Sequence, residues 1–154
     1  MTSLNYKIIL NGGYETAVSE DSLIKIPAIK AMIEDIKKND KIINKTTLNL
    51  DNINNSIFSC IITIIKQSST KSDSEILDFN NTLINNMDSN TLIDFILVTN
   101  KMELFQLKNL ASSRFINIIS NPNIDEIRKD LKIQNDFTEK EMDNIKKDNT
   151  WIIE

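Results

Sequence analysis

The chain has 154 residues, 40% of them hydrophobic, a net charge of −4, one cysteine and no histidine. That length and apolar content support one compact core and are too small for two of ordinary size; an acidic balance with no stripe of Lys and Arg argues against a nucleic-acid partner. Without histidine the commonest general base, the Ser-His and Cys-His dyads and most zinc sites are excluded, and a lone Cys60 excludes an intrachain disulfide framework. An enzyme is therefore improbable, and no cofactor or metal is expected. Aromatics are only 6% while isoleucine supplies 28 residues and asparagine 21, so the core must be aliphatic. The longest nearly apolar run, Ile57 to Ile65, is too short to cross a bilayer. The N-terminal stretch has no signal-type apolar segment. The expectation is a soluble protein of the cytoplasm and/or nucleus with no membrane partner.

Tyr6 to Leu10 reads as a strand, Asn11-Gly12-Gly13 as a tight turn and Tyr14 to Val18 as the returning strand. Ser19 followed by Glu20 and Asp21 suits a helix start. Pro27 fits the first turn of a second short helix, whose Ile29, Met32, Ile33 and Ile36 follow helical spacing. Lys37 to Lys45 reads as a polar loop and Thr47 to Leu50 as a short strand. Asp51 is the expected N-cap of a helix through Gln67, with Ile53, Ile57, Cys60, Ile61 and Ile64 on one face. Its β-branched residues also suit a strand, and helix is the preferred reading. Ser68 to Glu75 lacks periodicity and reads as the linker.

Beyond the linker the pattern is helical. Asp88 or Ser89 caps a segment carrying Leu92, Phe95, Ile96 and Thr99. The next helix carries Leu104, Leu107, Ala111, Phe115 and Ile118, and Asn121-Pro122 ends it. Asn123 with Glu126 resembles a capping box, and Thr138 with Glu141 forms one. There is no internal repeat and no glycine-rich phosphate loop. Three short strands covered by helices, followed by a helical extension, make an α+β plan.

The C-terminal stretch is the most distinctive. It reads Glu126-Ile127-Arg128-Lys129, then Ile133-Gln134-Asn135-Asp136-Phe137-Thr138, then Lys147-Asp148-Asn149-Thr150-Trp151. It closely resembles the C-terminal region of the Skp family, the adaptor subunits of SCF-type ubiquitin ligases, with its I-R-K, I-x-N-D-F-T and K-E-N-x-W elements. Leu97 to Leu104 resembles the family's L-A-A-N-Y-L-D-I, and Ile29 to Asp35 its I-K-T-M-L-E-D. Lys7, Gly13 and Val18 keep step, so the likeness spans nearly the whole chain. It is ungapped from Lys7 to Asp35 and from Thr91 to Trp151.

The resemblance implies a BTB/POZ-like domain over residues 1–118 and an F-box-binding helical extension over 119–154. It implies a non-catalytic adaptor whose partners are F-box proteins and a cullin, and a chain that self-associates as a homodimer when alone. The F-box interface would comprise Ile127, Lys129, Ile133, Asn135, Asp136, Phe137, Glu141, Ile145, Lys147, Asn149 and Trp151. The cullin interface would comprise Asn100, Lys101, Met102 and Glu103, with Ile36 and the residues toward Asp40. Independently of the family, two short helices cannot bury Ile127, Leu131, Ile133, Phe137, Ile145, Trp151, Ile152 and Ile153 against each other. Read without the resemblance, that apolar set suits core and interface equally.

Three departures stand out. The family's long acidic insert is replaced by Ser68 to Glu75, with Leu77-Asp78 the nearest match to the Trp-Asp element that follows it. Glu139 occupies the position of a proline that some members hydroxylate. Lys101 replaces the family tyrosine. This last change sustains an alternative, a Skp-like decoy or adaptor that binds F-box proteins but not the usual cullin, for example a viral or parasite hijacking factor. A small enzyme using Cys60 or a carboxylate pair is the remaining class. Cys60 among isoleucines reads as a buried structural thiol, and Glu34-Asp35, Glu139, Glu141 and Asp143 as solvated helix faces or caps.

Overall fold

The computed structural model describes residues 4–38, 46–121 and 123–149. Three strands, β1 (Asn5–Leu10), β2 (Glu15–Ser19) and β3 (Thr47–Leu50), form one sheet in the order β2-β1-β3. β1 is antiparallel to β2 and parallel to β3. The β1–β2 connection is a single 3-10 turn in which Gly12 and Gly13 hold φ near +73° and +75°, a conformation that disfavours any side chain. Strand alternation turns Tyr6, Ile8, Leu10, Val18 and Leu48 into the core.

Eight helices are found among the described residues. α1 (Glu20–Leu23) and α2 (Pro27–Lys38) follow the hairpin. Ser19 precedes α1, but its hydroxyl bonds Ser22 rather than a backbone amide. Pro27 opens α2, where a missing N–H costs nothing. The helix runs through Lys37 and Lys38, which the polar composition had suggested were loop; the rest of that segment lies outside the described residues.

α3 (Asn55–Gln67) is capped by Asn54, whose side chain accepts from the Ser56 amide at 2.8 Å, and not by Asp51. The reason is Ile53. Its N–H donates to the Leu50 carbonyl at 2.9 Å and its carbonyl accepts from Asn11 at 3.1 Å, which pins a turn and buries the side chain before the helix begins. Ile57, Phe58, Ile61, Ile62, Ile64 and Ile65 are all buried, so tertiary burial decides for helix over the β preference of isoleucine.

The expected linker is shorter than it reads. α4 (Asp73–Asn85) begins inside it, with a capping box in which the Ser72 amide and hydroxyl both donate to Glu75. Its apolar residues are too sparse for a clear stripe, and Ile84 is the one fully in the core. α5 (Ser89–Lys101) is capped by Asp88 and packs mainly on α6 (Phe105–Ile119). Leu92, Phe95, Val98 and Met102 face the core from α5 and its end, Leu107, Ala111 and Ile118 from α6. α7 (Ile124–Asp130) and α8 (Glu139–Asp148) close the described chain. The arrangement is the α+β plan the sequence predicts, and no described helix is long and apolar enough to cross a membrane.

Candidate functional site: an apolar face with two ends

α5 carries more apolar residues than one face can bury. With Leu92 and Phe95 turned inward, helical geometry sends Ile93 and Leu97 outward. They meet Phe115 and Ile116 of α6 across a groove of about 300 Å³ lined almost wholly by carbon. Leu97 is 63% exposed and Ile116 55%, and Ile119 extends the strip. Exposed aliphatics clustered along one groove make it a candidate interaction surface. Sequence reasoning placed Phe115 on the apolar face of its helix and did not single out this exposed groove, although the doubled apolar pattern of α5 was a readable signal.

The C-terminal segment carries further exposed apolar residues. α7 has no buried residue, yet it is tethered. It packs on α6, Leu131 touches the core, the Ser89 hydroxyl donates to the Asp130 carbonyl, and Lys132 Nζ reaches Asp88 Oδ2 at 2.8 Å. The Lys132 ammonium, then the Thr91 hydroxyl and amide, hold the Asp88 carboxyl well below the usual range. Lys132 itself takes φ near +55°, and the Ile133 amide returns to the Arg128 carbonyl at 2.8 Å, a tight stop to α7. From Ile133 to Thr138 the chain forms neither helix nor strand.

α8 starts on the expected capping box: the Thr138 amide and hydroxyl donate to Glu141 Oε2 at 2.8 and 2.7 Å. Those bonds, the hydroxyl's first, lower the Glu141 pKa. The Asn123 signal is only half a box. Asn123 accepts from Asp125 at 3.0 Å, but Glu126 bonds the Asn121 side chain instead of closing back. α8 also buries nothing. Phe137 and Met142 lie against a shallow hollow with Asn135 and Lys146, and Ile133 (55% exposed), Phe137 (50%) and Ile145 stand open to solvent.

Of the residues expected at the F-box interface, Lys129, Ile133, Asn135, Asp136, Phe137, Glu141, Ile145 and Lys147 are exposed, while Ile127 and Asn149 are half-buried. Asn149 also donates to the Ile145 carbonyl at 2.8 Å, so its side chain ends α8. Trp151 lies outside the described residues, as do Ile152 and Ile153.

The expected cullin segment is the turn from α5 to α6. Asn100, Lys101 and Glu103 are exposed, and Glu103 sits at φ near +60° with its amide on the Asn100 carbonyl at 3.1 Å. Met102 is a correction: it is 1% exposed and anchors the turn in the core, so it is out of reach of any partner. Phe105, which the sequence did not single out, stands 56% exposed beside Glu103, with the Lys108 ammonium 5.2 Å above its ring. Ile36 is half-buried on α2 and packs on the core; Asn39 and Asp40 lie outside the described residues.

Cys60 is half-buried rather than fully enclosed, and burial alone pushes its thiol up to about 11. A thiol so shifted is a poor nucleophile near neutrality. Among the described residues no group of acids and thiol is arranged to hold a metal.

Residues 106–152 match the Skp1 family, dimerisation domain. The E3 ubiquitin ligase complex SCF subunit sconC of Talaromyces stipitatus is 26% identical over 149 residues, covering 89% of this chain and 87% of the relative. The protein of the same name from Talaromyces marneffei is 28% identical over the same coverage. That from Neosartorya fischeri is 35% identical over 68 residues, 44% of this chain and 43% of its own.

Proposed function

We propose that this chain, a divergent member of the Skp family, is a non-catalytic adaptor of an SCF-type E3 ubiquitin ligase, working in the cytoplasm and/or nucleus. It would join an F-box substrate receptor to a cullin scaffold. Residues 1–118 serve as the BTB/POZ-like unit and 119–154 as the grip on the F-box.

The observation that carries the reading is the apolar face. Leu97 and Ile116 beside the α5–α6 groove, and Ile133 and Phe137 on the C-terminal segment, are each half or more exposed. A helical partner covering that face buries aliphatic carbon that the chain alone leaves wet. Lys129, Asp136, Glu141 and Lys147 supply the polar rim around it. Ile127, Asn135, Ile145, Asn149 and Trp151 complete the F-box contact set. At the other end of α5, Asn100, Lys101 and Glu103, with Phe105 beside them and Ile36 on α2, form the cullin-facing surface. Until a partner arrives the exposed groove favours self-association of the free chain.

Reconstitution tests this directly. The chain is mixed with a recombinant F-box domain and a cullin N-terminal domain, singly and together, and run on a sizing column. The expected result is a one-to-one complex with the F-box domain and a ternary complex in which F-box and cullin co-elute only when the chain is present. Absence of the binary F-box complex rejects the adaptor reading; a binary complex without the ternary one favours an F-box binder that has left the cullin.

A further inference from the structure

We propose that the outer edge of β2, with the groove between that strand and α3, takes an extended acidic peptide as an added strand. The site lies away from the α5–α6 face and does not depend on the adaptor reading.

The hydrogen-bond phase of the hairpin exposes the edge. Leu10 donates to the Tyr14 carbonyl and Glu20 to the Leu4 carbonyl, each at 2.8 Å. With the register running from Asn5↔Ser19 to Ile9↔Glu15, Tyr6–Val18 and Ile8–Thr16 are the hydrogen-bonded pairs. Glu15, Ala17 and Ser19 therefore turn both N–H and C=O away from β1. β2 ends the sheet, and among the described residues no backbone hydrogen bond reaches its outer side. Of the devices that blunt an edge it has shortness and one charge, Glu15, but no proline, lysine or bulge.

A cavity of about 220 Å³ runs along this edge. One wall is the 16–18 stretch of β2; the other is α3, with Phe58 and Ile62 as apolar floor. A strand paired on Ala17 would point alternate side chains into that space. Ser59 and Thr63 also line it, but their hydroxyl protons are used within α3, Thr63 donating to the Ser59 carbonyl at 2.8 Å and Ser59 to Asn55 at 3.3 Å. The remaining side-chain donors are the Thr16 hydroxyl and the ammonium of Lys66. Lys66 is the only charged residue of the lining, and among the described residues it makes no salt bridge. Glu15 does not offset it, being engaged with Lys7 at 2.7 Å on the sheet's solvent side. Main-chain bonds to the edge give the affinity, the Phe58–Ile62 floor selects an aliphatic residue, and Lys66 selects a carboxylate two positions away.

The test uses the full chain, isotope-labelled, titrated with the peptide Ac-Thr-Val-Thr-Glu-Thr-NH2. Controls are the same peptide with Lys for Glu, and with Pro for the central Thr. The expected result is saturable amide shifts confined to Glu15–Ser19 and Ser59–Lys66, with slowed exchange at the Ala17 amide. The proline peptide should not bind. Lys66→Glu should weaken the acidic peptide about two- to fivefold, the range of an exposed ion pair, and favour the lysine peptide. Ala17→Pro keeps the fold, because that N–H has no partner in the sheet, and should abolish binding; an unchanged spectrum elsewhere verifies the fold. No shifts at millimolar peptide, equal binding of the proline peptide, or shifts that report self-pairing of β2 on dilution would each overturn the proposal.

Discussion

Replacing Leu97 by alanine separates an interface residue from a core residue. The side chain is 63% exposed in the free chain, so the folded state has gained little from it. Full burial of a leucine is worth about 1.5–3 kcal/mol, and a partner that covers Leu97 completes roughly two-thirds of that burial. The expected loss in F-box affinity is about 1–2 kcal/mol, or about five- to thirtyfold. The expected change in folding stability is within about 0.5 kcal/mol, as for other surface substitutions. Phe95, two residues earlier and fully buried, gives the opposite signature: its truncation should cost about 3–5 kcal/mol of stability. Calorimetric titration with an F-box domain, beside denaturant melts of each variant, reads both quantities. If Leu97→Ala binds the F-box domain as tightly as the parent, the α5–α6 groove is not part of the grip, whatever α7 and α8 do.

Lys101→Tyr should strengthen binding to a cullin N-terminal domain by about 1–3 kcal/mol, because tyrosine offers a rigid aromatic body where lysine offers a strongly hydrated charge; unchanged or weaker binding in a folded variant places the cullin face elsewhere. Trp151→Ala should cost F-box affinity about 2–4 kcal/mol, and deletion of residues 121–154 should abolish it while leaving a cooperative melt, since the buried cluster draws almost entirely on residues before 119; equal affinity of the truncated chain would sink the assignment. The carboxyls of Asp88 and Glu141 are held below their ordinary values by bonds to their charged forms. Their stabilisation of the C-terminal segment is therefore full above about pH 4, near the unfolded values, and is lost as pH falls through the folded ones. A carboxyl-resolved titration should find Asp88 protonating after the other acids, with the Lys132 contact and α8 helicity fading toward the acid end; an Asp88 that titrates with the bulk would refute the pairing.

The elements most legible in the sequence were those fixed by local chemistry. The Asn11-Gly12-Gly13 turn, Pro27 at the start of α2, the Asp88 cap and the Thr138–Glu141 box each depend on backbone groups a few residues apart, so composition and spacing suffice. The paired apolar positions of α5 and α6 gave their core faces for the same reason. The Skp-like C-terminal motifs were likewise visible as linear patterns. What the sequence left open required neighbours in space. Asn54 displaced Asp51 as a cap because Ile53 is held against the hairpin and the core, a contact across more than forty positions of chain. Met102 moved from expected surface to core because the α5–α6 turn folds inward, while Leu97, Ile116 and Phe105 emerged as surface for which no core space remains. The free side of β2 follows from hydrogen-bond phase and strand order, neither of which a sequence encodes locally. Local propensity sets where elements begin and end, but which of their faces stays wet is decided only when the finite core has been filled.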